Sequence, residues 1–204
     1  NATSFLSKSP FYLDKDPIYT AYYLNSLPKT TTNLNFEGLI QNNATALEPI
    51  MQQVANRFVD LEELDLSEDA IGNSDSETNT PKGIQALTTY LPQLKNLKSL
   101  KMNNCYGFIM PETETYFKNF SYAVGQLANI SILDLSGTNL FYAKDLGNGF
   151  KESHNLTSVK LDRCWIGPSV SQWEGGVELF EGLTSHSNLT HLSASLNPIG
   201  INSL

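Results

Sequence analysis

The chain has 204 residues, 40% of them hydrophobic and 17% charged, and its 13 basic against 21 acidic side chains leave a net charge of −8. A core of ordinary globular density is available, but the counterion release that drives nucleic-acid binding has no basic surplus to act on, and an anionic membrane is an equally poor partner. No apolar run reaches the ~20 residues of a bilayer span, so the chain reads as soluble.

The leader, residues 1–30, is crowded with Phe5, Phe11, Tyr12, Tyr19, Tyr22 and Tyr23. Asp16 and Pro17 predict an N-cap and first helical residue for a helix running to about Ser26. The leader reads as a helical cap that covers the open end of residues 31–204, with an aromatic docking surface as the competing reading. The chain opens on Asn1 rather than Met, so a trimmed chain is expected.

From residue 31 the pattern L-x-x-L-x-L-x-x-(N/C)-x-L recurs. A degenerate copy at 31–41 (TTNLNFEGLIQ) precedes 61–71 (LEELDLSEDAI), 97–107 (LKSLKMNNCYG), 130–140 (ISILDLSGTNL), 156–166 (LTSVKLDRCWI) and 189–199 (LTHLSASLNPI). Their starts are separated by 30, 36, 33, 26 and 33 residues. Alternating apolar residues, such as Leu64 and Leu66 or Val159 and Leu161, predict a short strand with one buried face. Between copies the period becomes helical. Leu47, Ile50, Val54 and Phe58 form one stripe, Ile84, Leu87, Leu91 and Leu94 a second, and Val177, Phe180 and Leu183 a third.

Thr45 to Glu48 has the form of a capping box with Pro49 in the first turn, which predicts a helix beginning near Ala46. The pairs Ile71-Gly72, Ile166-Gly167 and Ile199-Gly200 mark the turn off the strand, where glycine admits backbone angles that other residues avoid. A strand-plus-helix unit cannot bury its own apolar faces and must stack on its neighbours. Residues 31–204 therefore predict a curved α/β solenoid of about six repeats, with a parallel sheet on the concave side and helices on the convex side. Leu64, Met102, Leu133, Val159 and Leu192 are expected to line one ribbon. The last repeat reaches Leu204 where its helix should begin, so it reads as incomplete.

This pattern resembles the leucine-rich repeat family in its longer, ribonuclease-inhibitor-like form; the copies at 61, 97, 130, 156 and 189 carry the resemblance. The resemblance implies a protein-recognition module, either an intracellular regulator or a bacterial effector that captures a host protein. Ran GTPase-activating proteins share the repeat type, which makes a GTPase-activating protein for a small GTPase the alternative, although their catalytic residues are not matched in this sequence. A purely structural or surface-exposed repeat protein is a third option. The location implied is a cytoplasm, the cell's own or a host's, and secretion stays open.

Cys105 and Cys164 occupy the N/C position, which faces the interior, as do Asp69, Thr138 and Asn197 in other copies. They lie two copies apart. Strands ~4.8 Å apart then hold their Cα atoms at least ~9.6 Å apart, beyond the ~7 Å a disulfide spans, and both are expected as buried thiols. No zinc ligand set, nucleophile elbow, phosphate loop or redox cysteine pair is seen, so neither an enzyme nor a cofactor is expected. Asn-x-Ser/Thr triplets stand at Asn1, Asn43, Asn119, Asn129, Asn155 and Asn188. The last three share one repeat position, so the repeat itself accounts for them, glycosylation being the other reading. His154 and His186 fall in helix-to-strand turns, and only His191 should point from a strand to solvent. Glu62, Glu63, Asp65, Glu68 and Asp69 are interrupted by core leucines and read as a solvated strand face; an acid/base pair and a calcium site are the lesser readings.

Residues between the core positions of each strand point to the concave side. The central column reads Asn35, Asp65, Lys101, Asp134, Lys160 and Ser193. Flanking columns read Asn33, Glu63, Ser99, Ile132, Ser158 and His191, and Glu37, Ser67, Asn103, Ser136, Asp162 and Ser195. Asp134 between Lys101 and Lys160 suggests charges that satisfy one another. Binding energy concentrates in tryptophan, tyrosine and arginine, and Tyr106 and Trp165 occupy the same slot at the strand exit, with Asn139 between them and Arg163 and Trp173 close by. The partner-binding candidates are therefore Tyr106, Trp165, Arg163, Asp162, Lys160, Asp134, Lys101, Asp65 and His191. The acidic loop at 73–81 and the insert at 106–120 border the same edge. The projected concave face is roughly 300 Å², less than the ~800 Å² a partner usually covers, so a tight complex is expected to use the exit edge as well.

Overall fold

The change of period along the sequence becomes an alternation of strand and helix. The structure is a computed structural model that describes residues 3–5, 17–40, 43–73, 80–107, 114–140, 143–167 and 176–199. Phe11, Tyr12, Asp16, Trp173, Gly200, Leu204, the centre of the acidic loop at 74–79 and that of the insert at 108–113 lie outside the described residues. The elements are β1 (Thr3–Phe5), α1 (Pro17–Ser26), β2 (Asn33–Asn35), α2 (Leu47–Arg57), β3 (Glu63–Asp65), α3 (Lys82–Tyr90) and β4 (Ser99–Lys101). They continue with α4 (Glu114–Gly125), β5 (Ile132–Asp134), α5 (Ala143–Glu152), β6 (Ser158–Lys160), α6 (Gly176–Thr184) and β7 (His191–Ser193).

All the strands join one seven-stranded sheet in chain order, and every pairing is parallel. Parallel neighbours require a crossover, and the helices supply it. The leader holds a strand as well as its helix, because Thr3–Phe5 pairs with Asn33–Asn35. Strands this short owe little to intrinsic preference, whose whole range spans ~1 kcal/mol. Burying one leucine contributes about 1.5–3 kcal/mol, and Leu34, Leu64, Leu100, Leu133 and Val159 stand in register at no more than 2% exposure. Packing therefore holds the register. Leu100, not Met102, is the residue opposite Leu64; Met102 lies one core position further along. At the last strand the column opens, and Leu192 is 46% exposed.

The first two helical stripes are buried as read, although the second is divided: α3 ends at Tyr90 and a 3-10 turn, Leu91–Gln93, carries it on. The third is displaced. On α6 the buried side chains are Leu179 and Leu183, while Phe180 is only partly covered, because no further helix packs on that side among the described residues. The capping box does not form. Thr45 Oγ1 donates to Asn43 Oδ1 at 2.6 Å, and a 3-10 turn, Ala44–Ala46, precedes α2. Its i→i+3 bonds, such as Ala46 N–H to Asn43 C=O at 3.0 Å, take up donors a cap would otherwise satisfy.

α1 is fastened by Arg57. Its guanidinium donates to the carbonyls of Leu24 at 2.9 Å, Asn25 at 2.8 Å and Leu27 at 2.6 Å. These are the open acceptors at a helix C-terminus, where a cation is also favoured by the helix dipole. On the convex side, α4, α5 and α6 approach through glycines: a Cβ on Gly149 would lie 2.2 Å from the Ser121 carbonyl oxygen, and one on Gly182 2.2 Å from that of Gly147.

The Asn-x-Ser/Thr triplets have a structural use. Asn129 Nδ2 donates to the Lys95 carbonyl at 2.8 Å, Asn155 Nδ2 to that of Ala128, and Asn96, at the same position, to that of Val59 at 2.9 Å. Two residues on, Ser131, Thr157 and Thr190 hydroxyls each donate to a carbonyl of the preceding repeat at 3.1 Å. The triplets at Asn129, Asn155 and Asn188 each tie one repeat to the last.

Candidate functional site

The strand exits are built by a second ladder. The Asp69 carboxylate accepts from Ile40 N–H at 2.8 Å. Thr138 Oγ1 accepts from Cys105 N–H at 3.0 Å and donates to the Met102 carbonyl at 2.6 Å. Asn197 Oδ1 accepts from Cys164 N–H at 2.8 Å, and its Nδ2 donates to the Leu161 carbonyl at 2.6 Å. The cysteines serve the same ladder in reverse, Cys105 Sγ donating to the Leu66 carbonyl at 3.2 Å and Cys164 Sγ to that of Leu135 at 3.1 Å. Both are free and buried, and burial pushes each thiol up to about 12, so neither is a nucleophile at neutral pH.

Immediately before this ladder every repeat turns through left-handed backbone, at Gly38, Glu68, Asn104, Gly137, Arg163 and Leu196. Gly72 and Gly167, where the sequence placed the unusual backbone, are not in that region. The expectation fell on the wrong residue because the chain reverses before the N/C side chain enters the core. Gly38, Asn104 and Gly137 are the residue types that tolerate such angles, and their common spacing was a legible signal.

Tyr106 and Trp165, at 59% and 55% exposure, project at this exit. They are not conformational equivalents. Trp165 itself is left-handed, with φ 59°, whereas after Cys105 the left-handed residue is Gly107, with φ 92°. Arg163 is exposed beside Trp165 on the same strained turn.

The concave columns align as read, Asp65 opposite Lys101, then Asp134, Lys160 and Ser193, with His191 one column over. The charge pairing is narrower than expected. Lys160 Nζ lies 3.5 Å from Asp134 Oδ2, but among the described residues Lys101 forms no ion pair with Asp65 or Asp134. The acids turn partly inward instead. Asp65 Oδ1 accepts from Ser67 N–H at 3.1 Å and Ser67 Oγ at 2.6 Å. Asp134 Oδ1 accepts from Ser136 N–H at 3.1 Å, and the Asn103 amide, turned with its nitrogen towards it, donates at 2.7 Å. Asp162 Oδ1 accepts from Ser193 Oγ at 2.6 Å and Ser195 N–H at 2.7 Å, and the Ser193 hydroxyl foremost holds its carboxyl below the usual range. Aspartate closing its own turn is a backbone device, so a partner meets what remains of these charges.

His191 is exposed, its Nδ1 2.8 Å from Thr190 Oγ1. His186 is buried, with Nε2 2.9 Å from the Phe150 carbonyl and Nδ1 without a hydrogen-bond partner. Nε2 therefore carries the proton, and burial lowers the group from 6.5. A lowered histidine adds stability that is complete above pH about 6.5 and is lost as pH falls below that value towards the folded one. Urea melts of the wild type between pH 7.5 and 5 are expected to lose stability that His186→Gln does not lose; an equal loss in both would remove His186 as its source.

Among the described residues no group of His, Cys, Asp and Glu could hold a metal ion, and no helix is long and apolar enough to cross a membrane. No protein-family model matches the chain, and no curated protein matches it. Among solved structures it is similar to the tropomodulin C-terminal domain of Caenorhabditis elegans, with a TM-score of 0.56 at 13% identity over 83% of this chain and 92% of that one. The fold is a leucine-rich-repeat solenoid. An identity that low speaks to the fold alone, and the fold names no partner.

Proposed function

We propose that this chain is a protein-recognition module of the ribonuclease-inhibitor-like repeat type, working in a cytoplasm. It grips a protein partner with the concave sheet and the exit edge around Tyr106, Arg163 and Trp165. Trp165 carries the reading. It is a bulky side chain on left-handed backbone, more than half exposed, and a non-glycine residue there costs of order 1–3 kcal/mol. Such strain collects at ligand clamps, and an aromatic surface left in water is what a partner's hot spot covers. Lys160, Asp162, Lys101, Asp65 and His191 form the polar rim, with the buried Asp134 paired to Lys160 behind it. Spacings of 26 to 36 residues between repeats support the longer repeat type.

The test is affinity capture from lysate with quantitative mass spectrometry, followed by binding measurements on the captured protein. Trp165→Ala is expected to weaken it by about thirtyfold, the equivalent of a ~2 kcal/mol hot spot, with the thermal midpoint unchanged. Undiminished binding would take the exit edge out of the proposal.

A further inference from the structure

The concave sheet keeps its charge at one end. Glu63 and Glu68 are exposed and Glu37 and Asp65 partly so, on or just beyond β2 and β3, and of the lysines nearby Lys98 is taken up by Glu62 at 2.6 Å. Among the described residues Lys101 pairs with neither Asp65 nor Asp134. Towards the other end Lys160 answers Asp134 at 3.5 Å, and the basic Arg163 follows the acidic Asp162 in the chain. A cleft of about 120 Å³ opens at the acidic end, its lining including Asn35, Glu63, Asp65 and Lys101. The column that carries Glu63 then presents Ile132, an aliphatic side chain 38% exposed in the middle of a polar sheet.

Glu63 and Ile132 are separated by one strand, Glu63 facing Ser99 and Ser99 facing Ile132, which sets them ~9.6 Å apart along the solenoid axis. A β-strand laid across the sheet would not match: its residues i and i+3 point to opposite faces. A polyproline II segment would. It has three residues per turn and rises ~3.1 Å per residue, so residues i and i+3 share a face ~9.3 Å apart.

We infer that the partner segment crosses the strands in polyproline II conformation, with a lysine or arginine at position i over Glu63 and the cleft, and an apolar residue at i+3 against Ile132. This rests on the protein-recognition reading and adds the partner's chemistry to it. Charge complementarity selects the cation, and the strand register selects the spacing.

The probe is a phage-displayed random dodecapeptide library panned on the intact chain, with enriched peptides remade and measured by fluorescence anisotropy. Enriched clones are expected to carry Lys or Arg three residues before an apolar residue. Their binding is expected to fall at least fivefold in Glu63→Lys and in Ile132→Ser, two exposed positions outside the core, and to weaken between 50 and 500 mM NaCl as screening shortens. Glu181→Lys on the convex face should change it less than twofold. Clones without that spacing, clones indifferent to Glu63→Lys, or a library with no clone above background would each overturn the inference. Peptides that ignore Glu63→Lys but are lost on Trp165→Ala would leave the recognition reading standing; peptides indifferent to both would remove both.

Discussion

Gly149→Ala is expected to destabilise the protein by about 1–3 kcal/mol, seen as a thermal midpoint lower by roughly 3–10 °C for a chain of this size. Helix preference alone gives the opposite sign, since alanine in a helix interior is favoured over glycine by ~0.5–1 kcal/mol. Contact decides the outcome. The added Cβ would sit 2.2 Å from the Ser121 carbonyl oxygen and 2.6 Å from its carbon, both backbone atoms of α4. Relief therefore requires shifting a helix whose Phe117, Phe120 and Val124 are at most 1% exposed. Gly147→Ala meets the Glu178 carbonyl oxygen of α6 at 2.2 Å, so α5 is constrained on both flanks. Asn148→Ala, between the two glycines and partly exposed, is the control and should leave the midpoint within a degree or two. A rise in midpoint for Gly149→Ala would mean that the helices part freely and that the seam has no energetic weight.

Thr138→Val is expected to cost about 2–5 kcal/mol, read as a lower urea midpoint at unchanged slope. Valine nearly matches threonine in shape, so packing is preserved and the change isolates the hydroxyl. That hydroxyl bridges two backbone groups, Cys105 N–H at 3.0 Å and the Met102 carbonyl at 2.6 Å, in a region closed to water. Without it both are left buried and unpaired, at ~1–3 kcal/mol each. Thr157→Val removes a hydroxyl of similar length from a partly exposed position, where it donates to the Ser131 carbonyl at 3.1 Å. Water can replace that bond, and a loss under ~1 kcal/mol is expected. Equal losses in the two variants would show that the exit ladder contributes no more than an ordinary surface bond.

Both residues bear on recognition because a solenoid that stacks accurately presents its surface without further ordering cost. The ladder fixes where Arg163 and Trp165 leave the sheet, since Cys164 between them is held through its N–H by Asn197 and through its thiol by the Leu135 carbonyl.

Much of this was legible in the sequence. Leu64 and Leu66, or Val159 and Leu161, alternate with polar residues closely enough to mark each strand, and the shared N/C position placed both cysteines inside and out of disulfide range. The concave columns followed from the same alternation, residue by residue. Three of the readings that went astray did so for related reasons. Thr45 and Glu48 had the spacing of a cap, but a 3-10 turn had already satisfied the donors. Gly72 and Gly167 looked like the reversal points, but the chain turns earlier, at the residue before the ladder. Lys101 was grouped with Asp134 by adjacency, yet Asp134 points an oxygen into its own turn and gives the other to Lys160.

The strand positions of the repeats from residue 31 onward, their register and the solenoid itself were determined by the sequence, because a buried alternating face is a local property that recurs every thirty or so residues and is satisfied by stacking; the leader strand at Thr3–Phe5 was not. The glycine seam, the hydrogen-bond partners of each ladder residue, the left-handed backbone at Trp165 and the uneven charge along the concave sheet were decided only in the tertiary structure. Each of these depends on distances of a few ångströms between side chains or backbone groups that stacking brings together, and on turn angles that such contacts enforce, and no local pattern encodes how closely two repeats settle against each other.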